Sequence, residues 1–213
     1  MDRNYSFFDD VINELDQGLR TIVLKPTHSQ RNNPATSIDE TDLSDAERTL
    51  AGRLMRVNHA GEVAAQGLYN GQALTAKNTE VREQMQHSAN EEEDHLAWCQ
   101  QRLNELRTSR SAIGPFWYAG SYVLGASAGL AGDKWSLGFV AETERQVVKH
   151  IDDHLSKLPK IDAKSCAILK QMREDELQHG KAAEDAGASE LPKPVKAAMH
   201  AVSRVMVFGA YWV

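Results

Sequence analysis

The pattern Glu-x-x-His occurs twice, as Glu92-Glu93-Asp94-His95 and as Glu176-Leu177-Gln178-His179, and this duplication restricts the folds open to the chain. On a helix, residues i and i+3 share a face, so each copy aims one carboxylate and one imidazole at a common point. A carboxylate-bridged pair of metal ions needs that arrangement from two helices, plus one Glu from each of two others. Spacing supplies the partners: Glu62 stands 30 residues before Glu92, and Glu144 stands 32 before Glu176. At ~1.5 Å of rise per residue, about 30 residues run along one long helix and back to the same depth. Two such halves face to face assemble Glu62, Glu92, His95, Glu144, Glu176 and His179. A single Glu-x-x-His is ordinary decoration of a solvated helix face; two copies at matched spacing are not. Glu91 and Glu93 are read as the solvated part of a charge run. Glu142 is an alternative to Glu144 that spacing barely separates, and Glu144 matches the first-half interval better.

The rest of the chain agrees with an all-α protein. Its 213 residues suit one domain with a substantial core. Long stretches are rich in helix-forming residues, and no strand-like alternation is convincing. A helix-compatible pattern covers residues 5–24, and residues 25–41, with Pro26 and Pro34, read as a polar loop. Ser44 followed by Glu47 is a capping box that opens a long helix over 44–77. Further helices are predicted over 79–107, over 134–158 with a stop at Pro159, over 162–186, and after Pro192 and Pro194. The expected division is therefore residues 1–43, an N-terminal helix and polar linker, and residues 44–213, the functional body.

Residues 111–132 carry no charged side chain. They are long enough to span a bilayer, but a crossing would put the two ligand halves on opposite sides of it. An interfacial hairpin, or an apolar surface over a substrate channel, is the expectation, with Trp117, Tyr118 and Tyr122 suited to headgroup level; a buried crossover packed on the bundle is the alternative. The C-terminal run 205–213 extends the same surface. The N-terminus lacks the apolar stretch of a signal peptide, so an intracellular protein is expected. A net charge of −6 argues against nucleic acid as a partner. Cys99 and Cys166 match no metal or redox spacing and read as buried free thiols. No phosphate loop or serine-hydrolase elbow is present.

An oxygen-rich, thiolate-free set of four carboxylates and two imidazoles suits iron or manganese better than structural zinc. Near it, His59 and Tyr69 fall on the helical face of Glu62 and are candidates to orient a ligand, or simply to pack. His150 lies six residues after Glu144, a poor match for shared coordination. His154 is expected to be solvated. An iron-storage bundle uses similar ligands but needs no lipid-facing surface, which counts against it.

At this point the motifs resemble those of a known family. Arg56-Val57-Asn58-His59-Ala60-Gly61-Glu62 followed by Tyr69, the Glu92–His95 run, Glu144 with His150, and Arg173-Glu174-Asp175-Glu176-Leu177-Gln178-His179 are similar, in order and spacing, to the motifs of the demethoxyubiquinone hydroxylases. The resemblance covers roughly residues 46–213. Asn58 departs from it, standing where Asp is often found. The resemblance implies a ferritin-like four-helix bundle with a di-iron centre, plus membrane-facing helical segments, in a monooxygenase of ubiquinone biosynthesis. It implies two iron ions held by the six residues above and a role for His150 near the site, such as passing electrons. It also implies O₂ as co-substrate, and NADH or the quinol itself as external reductant. The substrate would be a polyprenyl demethoxybenzoquinol. The protein would sit peripherally on the cytoplasmic side of the cell membrane, with lipid, other ubiquinone-biosynthesis proteins or further copies of itself as partners.

Overall fold

The computed structural model describes Gly18, Thr21 and residues 30–213. The helix expected over 5–24 lies outside the described residues, apart from Gly18 and Thr21, which are helical. Six helices follow: α1 Asp45–Thr75, α2 Thr79–Glu105, α3 Gly114–Ala131, α4 Asp133–Lys157, α5 Ala163–Asp185 and α6 Lys193–Trp212. No strand occurs among the described residues.

Local chemistry fixes most of the helix ends. Ser44 and Glu47 form the capping box at the start of α1, with the Ser44 N–H donating to Glu47 Oε2 at 3.0 Å. The Asn78 side chain accepts from the Glu80 N–H at 2.7 Å and opens α2. Asp133, first residue of α4, accepts from the N–H groups of Lys77 and Asn78 at 3.0 Å each, so the α1–α2 turn is tied to the start of α4. Asp162 caps α5 through the Ser165 N–H at 3.0 Å, and Gly187, at φ +95°, ends it.

Helices α1 with α2 and α4 with α5 form two hairpins that pack into a four-helix bundle. Its core is layered. At one end Met55, Trp98, Leu103, Ile151, Ile168 and Met172 close the interior. At the other, Tyr69, Val81, Met85, Leu137, Val140 and Ala183 do so. Between these layers each of the four helices also buries acidic or imidazole side chains: Glu62, Glu92, His95, Glu144, Glu176 and His179.

The uncharged stretch forms not a hairpin but the single helix α3, laid along the outside of α1. Small residues let the two backbones touch. A Cβ added at Gly71 would lie 2.2 Å from the Tyr122 carbonyl oxygen, and one at Gly125 would lie 2.1 Å from that of Leu68. The outward face of α3 keeps Phe116 78% and Leu130 68% exposed, and α6 leaves Phe208 71% exposed. Among the described residues no helix is long and apolar enough to cross a membrane. Cys99 is buried and Cys166 half-buried, both as free thiols.

Residues 30–43 lie against the bundle. Ala35 and Leu43 join its core, and Glu40 pairs with the buried Arg102 at 2.6 Å.

Candidate metal centre

The six side chains named from spacing meet in the polar layer. Glu62, Glu92, His95 and Glu176 offer ligand atoms within 4.8 Å of one another, and so do Glu144, Glu176 and His179. Each histidine turns Nδ1 inward. His95 Nδ1 lies 3.0 Å from Glu92 Oε2 and 3.3 Å from Glu176 Oε1. His179 Nδ1 lies 3.0 Å from Glu176 Oε2 and 3.4 Å from Glu92 Oε1. Glu92 and Glu176 thus each reach both imidazoles, as bridging carboxylates would. Glu62 stands on the His95 side, at 3.8 Å. Tyr69 donates its hydroxyl to Glu144 and sets its ring edge-on to His179, with centroids 6.2 Å apart. Glu142 is held elsewhere, by Arg145 at 2.5 Å and Gln146 at 2.9 Å.

Burial and mutual repulsion shift the protonation of this layer. Burial, followed by the charge of Glu92, pushes the Glu62 carboxyl well above the usual range. Burial, followed by Glu176, does the same to Glu144. Burial would lower His95, but the charge of Glu92 and the Asp175 hydrogen bond outweigh it and hold it well above an ordinary imidazole. Glu92 Oε1 and Glu176 Oε1 are buried and accept no hydrogen bond, an uncommon condition for a carboxylate. Two divalent cations would take up these oxygens, displace the protons and balance the buried charge. The donor set fits iron: hard oxygens, two imidazoles and no thiolate.

Behind the histidines stands a layer that sequence reasoning missed. His95 Nε2 meets Asp175 Oδ2 at 2.9 Å, and His179 Nε2 meets Glu91 Oε2 at 2.8 Å. The acidic residue just before each Glu of the duplicated motif therefore crosses to the opposite histidine. With Nδ1 turned to a metal, Nε2 carries the proton and donates to that carboxylate. Glu91 is thus not a solvated member of a charge run. The legible signal was the acid at the same position in both copies, Glu91 before Glu92 and Asp175 before Glu176.

The remaining histidines are placed as follows. His59 is buried and lines a cavity of about 380 Å³ beside Arg110 and Pro115. Burial, helped by Arg110, pushes it down to about 4. His150 is half-buried, its ring centroid 3.8 Å from that of His154. His154 is buried rather than solvated, and its Nδ1 lies 3.0 Å from the Asn58 side-chain amide. The stretch after Glu144 packs inward against α1, which the spacing of charged residues around it, Asp152, Asp153 and Lys157, concealed. His87 is on the surface, with Nδ1 3.2 Å from Glu91.

Two openings border the centre. An apolar groove of about 310 Å³ runs between α1, α3, α4 and α6 and is lined by Leu68, Leu124, Phe139, Met199, Val202 and Met206. Gly61 and Thr143, the neighbours of Glu62 and Glu144, also line it. A polar cavity of about 470 Å³ opens over His179, bordered by Glu83, His87 and Glu91.

Comparison with known proteins agrees with this geometry. The family model described as "Ubiquinone biosynthesis protein COQ7" matches residues 49–210. The 3-demethoxyubiquinol 3-hydroxylase of Nitrosococcus oceani is 57% identical over 99% of both chains. That of Chromobacterium violaceum is 55% identical over 95% of this chain and 98% of its own. That of Acinetobacter baumannii is 53% identical over 99% of each. The chain therefore belongs to the family of the ubiquinone biosynthesis protein COQ7, the demethoxyubiquinone hydroxylases that its motifs resemble.

Proposed function

We propose that the chain is a di-iron monooxygenase that hydroxylates 3-demethoxyubiquinol, the substrate in the names of its relatives, within ubiquinone biosynthesis. The observation that carries this reading is the duplicated carboxylate–imidazole set, buried between two apolar layers with an apolar groove beside it. Residues 44–213 would form the catalytic body. Glu62, Glu92 and His95 would hold one iron and Glu144, Glu176 and His179 the other. The bound iron pair supplies the electrons and coordination positions that activate O₂.

The chain's own residues do the rest. Asp175 and Glu91 hold the proton on Nε2 of each histidine and leave Nδ1 free to ligate. Tyr69 fixes the orientation of Glu144. The apolar layers above and below keep bulk water from the reacting oxygen. The ring enters by the groove beside Gly61, and the polyprenyl tail follows Leu68, Phe139 and Met206 outward. One ring C–H becomes C–OH. The second atom of O₂ leaves as water, with two protons and two electrons from an external donor, NADH or the quinol itself. Exposed apolar side chains on α3 and α6 flank the groove, so the protein would rest on the lipid that dissolves the substrate, on the cytoplasmic face of the cell membrane.

The test is mass spectrometry of the quinone pool in cells lacking the protein. Accumulation of the demethoxy quinone, reversed by the wild-type chain but not by Glu62→Ala, is expected. A normal pool would remove the assignment.

A further inference from the structure

The two carboxylates behind the histidines are unequally held. Glu91, behind His179, borders the open polar cavity, and its side chain is 29% exposed. Asp175, behind His95, is 7% exposed and is gripped from two sides. Gln171 donates to its Oδ1 at 2.9 Å, and Arg31 Nη1 donates to its Oδ2 at 2.8 Å. Arg31 comes no nearer than 3.9 Å to Glu91.

Arg31 arrives from outside the four-helix bundle. Its Nε donates to Asp94 Oδ2 at 2.8 Å, and the Gln30 N–H donates to Asp94 Oδ1 at 2.6 Å. The guanidinium lies over the Trp98 ring, 4.9 Å from its centroid, and that ring packs 5.4 Å from His95. Nη2 reaches within 3.4 Å of His95 Nε2. One planar fork therefore joins Asp94 on α2, Asp175 on α5 and the aromatic wall of His95. An ammonium, a point charge on a flexible stem, cannot span both carboxylates in that way. Glu40 anchors the same segment further on, through Arg102 at 2.6 Å and Lys164 at 3.2 Å.

We propose that Arg31 is a positioning residue of the metal centre: by clamping Asp175 it fixes the His95 imidazole, so the iron held by Glu62 and His95 exchanges more slowly than the iron held by Glu144 and His179. The inference rests on the di-iron reading above. A carboxylate behind a ligating histidine sets ring orientation, and disturbing such a partner typically changes metal affinity about 10–100-fold. Arg31 donates to Asp175 at 2.8 Å but only approaches Glu91, at 3.9 Å, so its loss bears chiefly on the iron beside His95.

The test is chelator-driven release of iron from the anaerobically Fe(II)-loaded full chain, with bound iron also followed by Mössbauer spectroscopy. Wild type is expected to release its two irons in two phases. Arg31→Gln is expected to speed the slow phase about 10–100-fold, with the fast phase unchanged and one quadrupole doublet altered. Arg31→Lys, which keeps the charge, is expected to fall between, and it decides the matter should Arg31→Gln lose helicity. Glu40→Gln is expected to lower the melting temperature and leave both phases as in wild type. Wild-type release from both Arg31 variants, or equal acceleration of both phases, would overturn the proposal. Failure of the wild-type chain to take up two irons would sink the di-iron reading instead.

Discussion

Single residues decide which chemistry this centre can perform. Gly61 faces the groove, and a Cβ built there meets nothing within 4 Å. Gly61→Val should therefore fold normally yet narrow the way to Glu62. The expected result is a melting temperature near wild type with a KM for the quinol raised at least about tenfold, the equivalent of ~1.4 kcal/mol; unchanged steady-state kinetics would show that substrate approaches elsewhere. The buried histidines set a pH dependence. Burial lowers His150 to about 4, and burial together with His150 lowers His154 to about 2. In the unfolded chain both bind protons near 6.5. Between about 6.5 and 4 the unfolded state holds more protons, so stability is lost as pH falls through that window. His150→Gln, in the same metal state, should flatten the fall in melting temperature between pH 7 and 5; an identical slope would remove His150 from the account. At this scale the sequence was partly legible. Five of the six inward side chains follow from i, i+3 geometry and helix length, while spacing barely separated Glu144 from Glu142. Glu91, Asp175 and His154 did not, because their roles depend on which helix lies opposite, and a charged or imidazole side chain carries no hydropathy signal for burial.

Elements were the most legible level, since their ends rest on local chemistry. Ser44, Asn78, Asp162 and Gly187 each mark a boundary by a cap or a positive φ, and Pro159 separates α4 from α5. The uncharged stretch was harder: its composition announces burial or lipid but not its partner. The structure settles that through the glycines of α1 and α3, which allow main chain to touch main chain. Gly125→Val would drive a side chain into the Leu68 carbonyl, 2.1 Å from the Cβ alone. Main chain cannot step aside as a flexible side chain would. A loss of about 3 kcal/mol is expected in urea unfolding, with iron content retained because α3 carries no ligand. A loss under about 0.5 kcal/mol would mean that α3 is not seated on α1 as described. Residues 30–43 were opaque in the sequence, since the reach of Arg31 to Asp175 is a contact across 144 positions.

At the scale of the whole molecule, polarity is sorted by face. A charged cavity lies over His179, and an apolar groove between α1, α3, α4 and α6 runs past the neighbours of Glu62 and Glu144. Phe116, Val205 and Phe208 are exposed around the helices that border the groove. Flotation with phospholipid vesicles should carry the wild-type chain upward, and the pair Phe116→Ser with Phe208→Ser should leave a larger share at the bottom; equal flotation would mean that these faces serve another contact. The central claim joins the buried ligands to oxygen insertion, and one measurement addresses it directly. The iron-loaded chain is given a demethoxyquinol, an external reductant and ¹⁸O₂, and the product is weighed. One heavy oxygen per hydroxylated quinol from wild type, and none from a folded Glu176→Ala, is the predicted result. Product without the label, or labelled product at the wild-type rate from Glu176→Ala, would contradict it.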